Sequence, residues 1–171
     1  MRKQEVLKPQ DVAVALRLAQ VPEGSYAELG ADLSMSPSTV HKSVERLQLA
    51  GLLLPDSRRV NRHHLMEFLE HGVKFMFPAK LDVVARGVPT AHSGPALSNE
   101  FISDDKIVWA DGSGNAFGQS MTPLYKKAAK LVSNCPSVYE LLTLVDALRI
   151  GRARERTTAM EKIRERLPRA A

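Results

Sequence analysis

The stretch from Ser25 to Gly51 constrains the chain more than any other, because it carries start and stop signals for two short helices with only a few residues between them. Ser25-Tyr26-Ala27-Glu28 is a capping box, in which the Ser25 hydroxyl and the Glu28 carboxylate satisfy reciprocal backbone donors at a helix start. Leu29 and Leu33 follow at helical spacing. Ser34-Met35-Ser36-Pro37 then breaks that helix and opens another, with Ser36 as N-cap and Pro37 pre-organised for the first helical position. Val40, Val44 and Leu47 recur at i, i+4 and i+7 as one buried stripe, and Gly51 supplies a left-handed stop.

The flanks extend this unit. Pro9 to Gln20 reads as an earlier helix with Val12, Ala13 and Leu16 on one face, stopped by Val21-Pro22-Glu23-Gly24. Beyond Gly51, Leu52-Leu53-Leu54, the turn residues Pro55-Asp56-Ser57 and the return Arg58-Arg59-Val60 predict a small hairpin with a basic flank. Asn61 caps a further helix to about His71, with Leu65, Phe68 and Leu69 inward and Gly72 ending it.

Glu28 to Leu47 therefore has the pattern of a helix-turn-helix. Apolar residues lock the two helices at a fixed angle, and the exposed side of the second helix offers short polar and basic side chains to base edges and phosphates. Ser36, Ser38, Thr39, His41, Lys42, Ser43 and Arg46 lie off the Val40, Val44, Leu47 stripe and are the candidate contacts. Leu33-Ser34-Met35-Ser36-Pro37-Ser38-Thr39-Val40, with Val44-Glu45-Arg46-Leu47 and Ala50-Gly51-Leu52-Leu53, resembles the recognition helix and wing entry of winged helix-turn-helix transcriptional regulators of the MarR and IclR groups. The resemblance covers residues 8 to 71. It implies that the second helix reads the major groove and that Arg58 and Arg59, at the wing, touch the adjacent backbone or minor groove. The chain departs from the MarR pattern in lacking a long helix ahead of the motif, so a dimer interface is expected from the C-terminal helices.

From about Pro78 to Met121 glycines and prolines interrupt short apolar pieces such as Ile107-Val108-Trp109, and the segment reads as a loop-rich connection. Thr122-Pro123 predicts a helix to about Ser133, and Ser137-Val138-Tyr139-Glu140 a second capping box before Leu141, Leu142, Val145 and Leu148. Gly151 separates this from a last helix to about Leu167, rich in arginine. Its Ala153, Met160 and Leu167 repeat every seven residues with Ile163 between them, a stripe suited to packing on the body or on a second subunit, while the arginines suit an exposed basic face.

Other chemistries find little support. The chain has 171 residues, 44% hydrophobic and 25% charged, which is the range of a folded globular protein, and a net charge of +5 that suits a polyanionic partner. The single cysteine, Cys135, excludes an internal disulfide and a four-cysteine zinc site and fits a reducing compartment. A redox-sensing role for it would need exposure and a depressed pKa. His64 and His71 share a helix face but stand about 10 Å apart along the axis, too far to hold one ion. Asp111-Gly112-Ser113-Gly114 is a turn and not a phosphate loop, since no Lys-Ser/Thr pair follows. No nucleophile elbow or zinc-enzyme spacing occurs, so neither an enzyme nor a cofactor or metal site is expected. No apolar run is long enough to span a bilayer and Met1-Arg2-Lys3-Gln4-Glu5 lacks a signal-peptide core, so a cytoplasmic protein is expected.

The sequence thus predicts a mainly α protein: a winged helix-turn-helix with a small β-hairpin wing over residues 1–78, a loop-rich connection over 79–121 and a C-terminal helical region over 122–171 that dimerises or meets a partner. The expected function is sequence-specific binding of double-stranded DNA as a transcriptional regulator, a repressor acting as a dimer on an inverted repeat. The alternative is an antitoxin-like interaction protein that binds a partner protein and autoregulates its operon. An RNA-binding module is disfavoured, because an aromatic content of 5% leaves few side chains for base stacking.

Overall fold

The computed structural model describes residues 5–169. Helix α1 spans Pro9–Gln20 and starts where Pro9 allows it, with the Lys8 backbone N–H donating to Asp11 Oδ2 at 2.8 Å. Val12, Ala13, Val14, Ala15, Leu16 and Leu18 are all buried, so α1 is enclosed on nearly every side, beyond the one apolar face that its spacing predicts. Helices α2 (Tyr26–Leu33) and α3 (Pro37–Leu49) lie against it. Arg17 holds α2 through a 2.8 Å bond to Asp32.

After α3, Gly51 takes the left-handed conformation at φ 75°, as its place at a helix end requires. The hairpin that follows is minimal. Leu53 and Val60 form one antiparallel bridge, Leu54 N–H donates to Arg59 O at 2.8 Å, and Asp56 turns the tip at φ 52°. Asn61 caps α4 (Arg62–Glu67) by accepting from the His64 N–H at 3.2 Å. Contrary to expectation, Gly72 does not end this helix. The chain passes through a π-helical turn, Phe68–Gly72, into α5 (Val73–Met76), and Leu65, Leu69 and Val73 are all buried along it.

Residues 79–121, expected as a loop-rich connection, carry three strands of a small sheet, with only a 3-10 turn (Ala91–Ser93) and turns over residues 90–106 between the first two. Strand β1 (Leu81–Pro89) pairs antiparallel with both β2 (Ile107–Ala110) and β3 (Ala116–Met121), which run parallel to each other and close a small barrel. Gly87 pairs with Ala110 on one edge and Ala116 on the other, so the chain switches sides of β1 between β2 and β3. Glycine is obligatory at the crossing: a Cβ on Gly87 would stand 1.9 Å from Trp109 O, and one on Gly114 2.1 Å from Gly87 O.

The C-terminal part differs from expectation at two helix starts. Residues 122–127 are turns, followed by a 3-10 turn at Ala128–Lys130 and the single-turn helix α6 (Leu131–Asn134). Helix α7 (Pro136–Ile150) starts at Pro136, so Ser137 lies inside it and forms no capping box. The Ser137 hydroxyl instead donates to Gln20 Oε1 at 3.1 Å. From Val138 to Leu148 every residue of α7 except Glu140 is buried. Asp146, buried with them, accepts from Trp109 Nε1, Thr90 Oγ1 and Arg149 Nη1, each at 2.7 Å, which pins the sheet to α7. Gly151 leads into α8 (Ala153–Arg166), whose Met160 and Ile163, with Leu167 beyond, are buried, while Ala153 is exposed. Helix α8 packs on α7.

The protein is therefore mixed α/β, helices around one small three-stranded sheet, with a single hydrophobic core that runs from Val12 to Leu167. Among the described residues, no helix is long and apolar enough to cross a membrane.

Candidate nucleic-acid interface

The turn between α2 and α3 is set by local chemistry. Glu28 Oε2 accepts from the Ser25 N–H at 2.6 Å and Ser25 Oγ from the Glu28 N–H at 3.1 Å, the reciprocal cap expected from their spacing. These bonds hold the Glu28 carboxyl below the ordinary glutamate pKa. Ser34 ends α2 in the left-handed conformation, φ 55°, and Met35 N–H returns to Gly30 O at 2.8 Å. A Cβ on Gly30 would sit 2.3 Å from Met35 O, so the sharp turn depends on that glycine. Asn134 Nδ2 braces it from α6, donating to Ser34 Oγ at 2.9 Å.

Ser36 caps α3, accepting from the Thr39 N–H at 3.2 Å, and its hydroxyl also meets Thr39 Oγ1 at 2.8 Å and Ser38 Oγ at 3.1 Å. Three hydroxyls thus cluster at the positive end of the helix dipole, where anions are favoured. Ser36, Ser38, His41 and Lys42 are exposed and Thr39 is half-buried.

Two residues of the expected set are not on this surface. Ser43 is fully buried and Arg46 is 6% exposed. Helix α3 packs against α1 as well as α2, so its inward face is wider than the Val40, Val44, Leu47 stripe and takes in both positions. Arg46 Nε and Nη2 donate to Asp11 Oδ2 and Oδ1 at 2.8 and 2.7 Å, and Nη2 also reaches Ser43 Oγ at 3.2 Å. The bonds to Asp11 raise the Arg46 pKa above its ordinary value and keep it charged. One carboxylate, Asp11, directly ahead of the apolar run of residues 12–16 in α1 was the signal for such a partner.

The wing arginines divide in the same way. Arg58 is half-buried: its Nη1 donates to Gly24 O at 2.7 Å and its guanidinium lies 5.3 Å over the Tyr26 ring. Arg59 is exposed, with only its backbone engaged, donating to Ser57 Oγ at 3.0 Å and accepting from Leu54 N–H. Gln48 Nε2, donating to Ser57 O at 3.0 Å, ties the end of α3 to the hairpin.

Tyr26 was not among the residues singled out from the sequence. Its ring meets His41 edge-on at 5.1 Å and Arg58 face-on, so one side chain joins the hairpin, the start of α2 and the exposed side of α3. The aromatic inside a capping box at the mouth of the motif was the available signal.

The histidines weighed as metal ligands have other surroundings. His64 Nδ1 lies 2.7 Å from Gly51 O, and His71 is exposed beside Glu70. Among the described residues, no three His, Cys, Asp or Glu side chains come together as a metal-binding group. Comparison of the chain with protein-family models, with curated proteins and with solved structures gave no match.

Proposed function

We propose that the protein binds double-stranded DNA in a sequence-specific manner as a transcriptional regulator of the winged helix-turn-helix kind. The observation that carries this reading is the Tyr26 link, which joins His41, on α3 beside the exposed Ser38 and Lys42, to Arg58 in the hairpin that also bears the exposed Arg59. In this reading His41, Lys42 and the hydroxyls at the start of α3 address base edges and phosphates, Arg59 supplies a backbone contact, and Arg58 and Arg46 act as struts. Repression by promoter occupancy as a dimer on an inverted repeat is its simplest form.

The dimer would not use the α8 stripe, because Met160, Ile163 and Leu167 are already buried within the chain. The β1–β3 ribbon is the alternative surface, with Val83, Val84 and Phe117 at 72%, 70% and 60% exposure. The same ribbon supports the second reading, an interaction protein that binds a partner and autoregulates its operon. Co-purification of an operon neighbour, lost on Val83→Asp with Val84→Asp, would favour that reading.

The deciding experiment measures binding of the full chain to its own upstream DNA and to scrambled duplex across a salt series, with Lys42→Ala and Arg59→Ala variants. Specific binding that both variants weaken supports the proposal. Equal affinity for both duplexes, or none, overturns it.

A further inference from the structure

A cleft of about 350 Å³ opens between the foot of the hairpin and the end of α8. Leu18, Leu54, Val60 and Leu167 give it an apolar floor, Arg59, Arg62 and Arg169 line it with charge, and among the described residues no carboxylate lines it. Arg62 and Arg169 also line two adjoining openings, one with Glu165 and one with Glu67 and Glu70. Among the described residues Glu70 already pairs with Arg164 at 2.6 Å, whereas Arg59, Arg62 and Arg169 take part in no ion pair. Arg62 is the central group. Its Nη2 donates to Arg164 O at 3.1 Å, but its Nε is buried with no hydrogen-bond partner.

Three guanidinium groups over an apolar floor, none of them in an ion pair among the described residues and one carrying a buried Nε without a hydrogen-bond partner there, are an unfavourable arrangement in isolation and a favourable one around an anion. Guanidinium groups match the planar or tetrahedral oxygens of carboxylates and phosphates, and the volume lies within the range of about 300–1,000 Å³ common for small-molecule sites. We infer that this cleft binds a small amphipathic anion, a carboxylate or phosphate monoester whose head meets Arg62 and Arg169 and whose apolar tail lies against Leu18, Leu54, Val60 and Leu167. Because its walls belong to the hairpin and to the end of α8, the occupant joins the hairpin foot to the C-terminal helix. The inference does not depend on the DNA-binding reading, and its test contains no DNA.

Isothermal titration calorimetry of the full chain with octanoate, octyl phosphate and the uncharged octanol is the test. Saturable binding of at least one anion is expected, at least tenfold weakened for octanol and for the Arg62→Gln, Arg169→Gln double variant. Arg59→Gln, whose side chain makes no bond to the body, serves as a second variant that leaves folding intact and is expected to weaken the anion several-fold. No binding of either anion, equal binding of octanol, or unchanged affinity in Arg59→Gln or in a folded double variant would overturn the inference.

Discussion

The guanidinium of Arg46 and the carboxylate of Asp11 form a two-pronged ion pair at 2.7 and 2.8 Å between α3 and α1, with side chains 6% and 1% exposed. A basic residue in the expected recognition helix is thereby committed to the interior. Its replacement would report on folding before it reported on any ligand, so Lys42 and Arg59 are the informative positions for DNA binding.

Removing one partner leaves a buried charge uncompensated. Asp11→Ala is expected to cost about 3–5 kcal/mol, whereas replacing both residues with apolar ones of similar volume, Asp11→Leu with Arg46→Met, is expected to recover most of that loss. Urea denaturation of the two variants beside the parent checks this. A double variant as unstable as Asp11→Ala alone would show that the pair contributes more than mutual neutralisation.

The Glu28 carboxyl gives a pH-dependent prediction. Its pKa is lowered in the folded chain by the bonds from Ser25, so its contribution is present above the unfolded glutamate value, about 4.3, and is lost as pH falls through the lower folded value. The melting-temperature gap between the parent and Glu28→Ala should therefore be open at pH 7 and close progressively below about pH 4.3. A gap that stayed constant to pH 3 would mean that the box does not hold α2 through the ionised carboxylate.

Arg58 and Arg59 are neighbours with different tasks, and their variants should separate. Arg58→Ala removes the bond to Gly24 O and the contact over Tyr26, and should lower the melting temperature and loosen the hairpin. Arg59→Ala should leave stability within about 0.5 kcal/mol, as is usual at exposed sites, yet reduce the salt slope of DNA binding by about one. Thermal melts and a salt series on both proteins make the comparison. The reverse pattern would exchange strut and contact.

The N-terminal half was legible because its signals are local. Pro9, the Ser25–Glu28 box, Ser36-Pro37, Gly51 and Asn61 act through backbone groups within a few residues, and each stands at the helix end where its chemistry placed it. The sheet was not legible because its glycines look like loop punctuation when read locally. Gly87 and Gly114 are there for the approach of strands that are distant in sequence, and Val83 and Val84 are exposed, so no inward alternation marks β1. Ser137 misled in the opposite way, as a good cap residue one position inside a helix that proline had already begun. At the candidate interface the apolar stripe of α3 was read correctly. Its true width was not, because Ser43 and Arg46 are inward only through α1, which the spacing within α3 does not encode.

The crossing at Gly87 yields the last prediction. An added methyl would stand 1.9 Å from Trp109 O and 3.1 Å from Val108 Cβ, and neither backbone nor buried Val108 is a flexible side-chain end that can move aside. Gly87→Ala should therefore force β2 away from β1 and cost on the order of 3 kcal/mol, the upper range for overpacking. The strain should travel further than the sheet, because Trp109 donates to Asp146 at 2.7 Å and Asp146 also holds Arg149, whose Nε donates to Phe77 O at 2.8 Å. Amide hydrogen exchange on Gly87→Ala is expected to rise at Ile107–Ala110 and around Asp146 and Arg149 in α7, while α2 and α3 keep their protection. If exchange instead rose evenly through α2 and α3, the sheet and the helix-turn-helix would be one cooperative unit with no local opening between them.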